Sequence, residues 1–355
     1  MNRSRSRRCY ADRLMPHREF KTVFHHDWET YSEIDLTKTS NSRYARHPST
    51  VPLLLAYAFD DESVQQWAPA EGEPMPRDVH DAVRDTSVQK VAYSVAMEWS
   101  VWSHCFDMET PHDEWLDVMV QVHSLAFPGS LEAAGEALDL PLHERKKGSG
   151  KRLINWFCLP RSRKRDEPPR RVMWYERLED WELFKDYNRQ DVDSERAVGR
   201  LVGAHDLPPH EWEMWFIDRE INERGVPISR NVVNRALMLR DYFHADRYDQ
   251  LQRLSGVDNP TSGKQILSYL QDLGYPFDDL KKGHVERALK TAKMNAMSNI
   301  VASPQYIRAL ELRQELSRVS SKKYDAFAFR ADEDGRLRQS LQFCLLYTSP
   351  SPRDS

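Results

Sequence analysis

Apolar and polar residues trade places along Val23-Phe24-His25-His26-Asp27-Trp28-Glu29-Thr30, a strand-like pattern. Residues 51–59 form a second apolar run, closed by the turn signal Asp60-Asp61. Residues 64–67 read as its hairpin partner and 90–95 as a buried strand. The period then becomes helical over 96–106, 114–126, 130–138 and 151–159, with the longest helix at 178–202. Strands first and helices afterwards predict a mixed α/β layer with the sheet as platform. Pro208-Pro209 marks a boundary, and the chain beyond it reads as almost wholly helical. A helix over 211–224 stops at Gly225-Val226-Pro227, and others are expected over 230–254, 262–273 and 303–327. No internal repeat emerges.

At 355 residues the chain is long enough for two cores. A hydrophobic content of 40% and a charged content of 30% fit a globular protein. The formal net charge of −4 excludes a globally basic nucleic-acid binder, although local distribution matters more than the sum. No apolar run approaches the roughly 20 residues of a membrane span. The basic N-terminus (Arg3, Arg5, Arg7, Arg8) leads into no apolar segment, so secretion is not expected. Four scattered cysteines form no Cys-x-x-Cys pair and point to neither zinc nor disulfides. The expected compartment is a reducing cytoplasm. Residues 1–20 read as a flexible basic arm. Residues 344–355 resemble adapter-derived ends of assembled reading frames and are set aside as a non-native tail.

Side chains two apart on a strand share a face, so Asp27 and Glu29 converge. Such a triplet is weak alone, since a solvated strand end gives the same letters. The long helix is more telling: Phe184, Tyr187, Asp191, Val198 and Val202 fall on one inward stripe. An ionised Asp among apolar neighbours costs several kcal/mol unless a cation or donor compensates it. A salt bridge to an Arg is the plain explanation; a divalent metal shared with Asp27 and Glu29 is the sharper one. Two hard ions such as Mg²⁺ (or Mn²⁺) roughly 4 Å apart can drive an in-line phosphodiester displacement. A second ion needs another carboxylate after the 90–95 strand, where Glu98 stands, though a polar position on an amphipathic helix explains Glu98 nearly as well. Between 145 and 171 lie eleven Lys or Arg against two acids, a candidate phosphate-contact stretch that includes Lys151 and Arg152. Ser262 and Lys264 start a later helix whose free amides suit phosphate, and ordinary capping explains them equally well.

These residues together resemble a family. Asp27-Trp28-Glu29-Thr30-Tyr31-Ser32-Glu33-Ile34-Asp35-Leu36, His47-Pro48-Ser49, Trp115-Leu116-Asp117-Val118-Met119, Phe127-Pro128-Gly129-Ser130-Leu131, Gly150-Lys151-Arg152-Leu153-Ile154 and residues 187–196 are similar to the 3′–5′ exonuclease region of bacteriophage-type family A DNA polymerases. Ile221-Asn222-Glu223-Arg224-Gly225-Val226-Pro227 and Asp334-Gly335-Arg336-Leu337-Arg338-Gln339-Ser340-Leu341-Gln342-Phe343 resemble the first polymerase segment. The likeness covers nearly all of 21–343. It implies an RNase H-like α/β exonuclease domain at 21–205 and a truncated, helical, thumb-like segment at 206–343. By the same likeness Asp27 bridges two metals, Glu29 and Asp191 complete the first shell, Glu98 serves the second, and Tyr187 orients the attacking water. It also implies single-stranded 3′ ends and primer–template duplex as partners, proofreading as the role, and no DNA synthesis by this stretch. The chain departs from the family in Tyr93-Ser94, where His-Asn is common, and in Glu98, where Asp is common. A related exoribonuclease and a catalytically silent DNA-binding module therefore stay open.

Overall fold

The computed structural model describes residues 19–145, 150–161, 170–297, 303–317 and 322–343. The expected N-terminal arm up to residue 18, much of the basic run and the tail from 344 lie outside the described residues. Five strands form one mixed sheet in the order β3-β2-β1-β4-β5: β1 (Thr22–Tyr31), β2 (Val51–Phe59), β3 (Gln65–Trp67), β4 (Val88–Ala92) and β5 (Trp115–Asp117). β1 runs antiparallel to β2, which is antiparallel to β3, while β4 is parallel to both β1 and β5. This sheet, flanked by helices, is an RNase H-like α/β arrangement, as the sequence led us to expect.

The two faces of β1 have different occupants because its side chains alternate. Phe24, His26, Trp28 and Thr30 are buried on one side. There Trp28 meets Trp102 of α3 (Val95–Cys105) edge to face at 5.0 Å, with Trp67 and Trp115 in the same aromatic core. His26 accepts from the Trp102 indole through Nε2, and burial takes it down to about 3, so it stays neutral. The opposite side, with His25, Asp27, Glu29 and Tyr31, faces α7 (Leu178–Val202). All five members of the expected inward stripe of α7 are indeed buried. Val192 of the same helix rests on Ala56 and Ala58 of β2, where small side chains let the helix approach the sheet.

Three expected boundaries move. The strand expected over 90–95 runs from Val88 to Ala92, because Ser94 takes a left-handed backbone (φ +77°) and the chain turns into α3 at once. Asp117 makes that turn possible by accepting the amides of Ser94 and Val95, both at 3.1 Å. The helix expected over 114–126 begins later, as α4 (Val118–Ser124), since 115–117 pair with Lys90–Ala92 as β5. The helix expected over 303–327 is two, α12 (Pro304–Leu316) and α13 (Lys322–Arg330). Shorter helices α1 (Asn41–Arg46), α2 (Arg77–Arg84), α5 (Leu131–Ala137) and α6 (Gly150–Phe157) complete the sheet's surroundings.

The chain divides into two compact units, residues 1–226 with 338–355 and residues 227–337. α8 (Pro209–Arg224) belongs to the first, where Trp215 enters the aromatic core. The second consists mainly of α9 (Arg230–Ser255), α10 (Gly263–Asp272), α11 (Lys282–Met297), α12 and α13. Its core gathers Leu251, Ile266, Leu270, Leu289 and Leu310. α11 was not anticipated from the sequence pattern. Among the described residues, no helix is long and apolar enough to cross a membrane.

Candidate metal centre

Asp27, Glu29 and Asp191 each offer a carboxylate oxygen, and these atoms lie within 4.8 Å of one another. Strand alternation delivers the first two and the inward stripe of α7 delivers the third, so elements more than 150 residues apart meet here. The β1–β2 register slips between Glu29 and Thr30, a bulge of the kind that re-aims side chains beside functional sites. Like charges this close repel strongly outside bulk water. Hard oxygen donors in this number fit a hard divalent cation such as Mg²⁺ or Mn²⁺, so the residues suit the ion the resemblance implies.

Tyr187 is buried one turn before Asp191 and hydrogen-bonds to it. Burial, then the charges of Asp191, Glu29 and Asp27, raise its phenol well above the usual range, so it remains protonated. Its ring lies against Gly150, the first residue of α6, where a Cβ would fall 2.0 Å from Cε2. Asn188 donates to Asp27 Oδ2 at 2.7 Å. The buried thiol of Cys158 sits 3.5 Å from Glu29 Oε2 and is held protonated by burial and by Glu29. None of Gly150, Asn188 and Cys158 was singled out for the site in the sequence reading. Asn188 stands four after Phe184 and three before Asp191, so helical spacing puts it on the same inward face; that spacing is the signal that could have found it.

Glu98 is not one of the three converging ligands. It lies buried on the first turn of α3, 3% exposed, and its Oε2 has no hydrogen-bond partner among the described residues. Burial first, then the charge of Asp27, pushes its carboxyl well above the ordinary value. Asp117 is buried beside it in charge terms and is pushed up to about 6 by burial, against three backbone amides that favour its anion. Arg219 of α8 is buried too and feels both carboxylates.

Lys151 is exposed on α6, whereas Arg152 reaches Asp180 at 2.6 Å, a carboxylate it shares with Arg177. In the second unit Ser262 caps α10 by accepting from Gln265, and Lys264 beside it is exposed. This is ordinary N-capping, and it is compatible with a phosphate at the same helix end.

The sheet and its acidic cluster define an RNase H-like α/β protein with a carboxylate site suited to divalent metal. The chain is 31% identical over 318 residues to the DNA polymerase of Bacillus phage SP02, a match covering 89% of this chain and 47% of that protein. It is thus related to phage-type DNA polymerases, and it spans about half the length of the curated relative it matches. No protein-family model matches the chain.

Proposed function

We propose that residues 21–205 carry a metal-dependent 3′–5′ exonuclease acting on DNA, the proofreading part of a phage-type DNA polymerase, with residues 206–343 as the start of its polymerase region. The observation that carries this reading is the convergence of Asp27, Glu29 and Asp191 with Tyr187 hydrogen-bonded to the last of them. Bound Mg²⁺ would lower the pKa of a water and offset charge on the departing 3′ oxygen. Asp27, Glu29 and Asp191 would hold the first ion, and Asp27 with Glu98 would serve a second. Tyr187 stays a neutral phenol, so it donates to Asp191 while its oxygen remains able to accept from the attacking water. Water attacks the terminal phosphorus, the P–O3′ bond breaks, and a nucleoside monophosphate leaves with a new 3′ hydroxyl behind it. Lys151 and Arg152 are proposed to meet the phosphate backbone of the substrate strand. Ser262 and Lys264 are assigned to the backbone of duplex DNA.

The test is a 5′-labelled single strand incubated with the protein and Mg²⁺ or Mn²⁺. Shortening from the 3′ end is expected, and Asp27→Ala should abolish it. A strand that is bound but never shortened would instead identify a silent DNA-binding module.

A further inference from the structure

We propose that Asn188 is a positioning residue that fixes the orientation of Asp27 for metal binding, and that Gln66 in turn fixes Asn188. This rests on the metal-site reading above. Gln66, Ala56 and Asp27 form one rung across β3, β2 and β1, so their side chains share a face. The middle residue of that rung is alanine, fully buried, and Asn188 of α7 spans the gap its small side chain leaves. Gln66 Nε2 donates to Asn188 Oδ1 at 2.9 Å. Asn188 Nδ2 donates to Asp27 Oδ2 at 2.7 Å and to the Asp27 carbonyl at 3.2 Å. Asn188 itself is completely buried.

The chemistry of a carboxamide suits this task. Its oxygen accepts and its nitrogen donates, so the bond from Gln66 dictates which end meets Asp27. The paired bonds to the side chain and backbone carbonyl of one residue pin the carboxylate's rotation. A Lys or Arg in this place would neutralise Asp27 and compete with a cation; an amide orients the carboxylate without removing its charge. Partners that orient metal ligands in this way commonly matter roughly 10- to 100-fold in affinity. α7 thereby contributes three functions within two turns: the phenol at 187, the clamp at 188 and a ligand at 191.

The experiment is Mn²⁺ titration by calorimetry of the full chain, without DNA, with thermal melting as the fold control. Asn188→Leu keeps the volume and removes the donor; its Mn²⁺ affinity should fall roughly 10- to 100-fold. Gln66→Met frees the amide to turn and should cost roughly two- to tenfold, the range of a single hydrogen bond. The double variant should bind no more weakly than Asn188→Leu alone, because both act through one chain of bonds. If Asn188→Leu does not fold, Gln66→Met decides. Wild-type affinity in both folded variants, fully additive losses, or no Mn²⁺ binding by the wild type would each overturn the proposal. Weakened Mn²⁺ binding by the variants, with no DNA shortening by the wild type, would sink the exonuclease reading and leave the clamp standing. DNA shortening with unchanged affinity in the variants would do the reverse.

Discussion

Gly150→Ala separates a local from a tertiary account of the same residue. By helix propensity alone, alanine is better than glycine by about 1 kcal/mol within a helix, an upper bound for Gly150 as the first residue of α6. The structure opposes this: the new Cβ would sit 2.0 Å from Tyr187 Cε2, 2.3 Å from Cζ and 2.8 Å from Cδ2. Carbon atoms settle at about 3.5–4.0 Å, so ring and helix must part by roughly 1.5 Å. Tyr187 is 3% exposed and stacked on Phe184, which leaves the ring little room to yield. Overpacking of this kind costs about 1–3 kcal/mol, which the propensity gain partly offsets. Melting should therefore fall by only a few degrees, on the order of ~4–8 °C per kcal/mol at most for small domains and less for a chain of this size. Catalysis should suffer more, since a displacement near 1 Å of an orienting group costs about 100-fold. The assay is the initial rate of 3′-end shortening of a 5′-labelled single strand with Mg²⁺, run beside thermal denaturation. Gly199→Ala is the control, because its Cβ would meet Val118 Cγ2 at an ordinary 3.5 Å. A folded Gly150→Ala protein hydrolysing DNA at the wild-type rate would refute the reasoning.

Two further outcomes concern the scaffold. Lys90 and Glu114 pair at 2.7 Å with 0% and 1% of their side chains exposed, so Lys90→Met should destabilise by about 3–5 kcal/mol in urea denaturation by stranding a buried carboxylate. Adding Glu114→Gln to it should recover part of that loss. Asp117 binds its proton more tightly folded than unfolded, rising from 3.8 to about 6. The folded chain then holds the extra proton between those values, so stability without divalent metal should decline as pH rises through that window, by about 3 kcal/mol for this group. Asp117→Asn should flatten the decline in melting temperature between pH 4 and pH 6; an equally steep slope in the variant would show that another group is responsible.

Much of the candidate site is legible in the sequence. Asp27 and Glu29 follow from a period of two and Asp191 with Tyr187 from a period of 3.6, because regular elements place side chains by local geometry alone. The long α7 and the strand 51–59 appear with the bounds expected, each being a long run of consistent pattern. What the pattern could not contain is whatever depends on a partner distant in sequence. The strand at 115–117 exists through pairing with 90–92, and Ser94 turns where it does because Asp117 receives its amide. Asn188 faces Asp27 only because Ala56 and Ala58 let α7 settle onto β2. Periodicity thus determined which carboxylates could share a face, while close packing of the helix against the sheet decided which side chains hold them there.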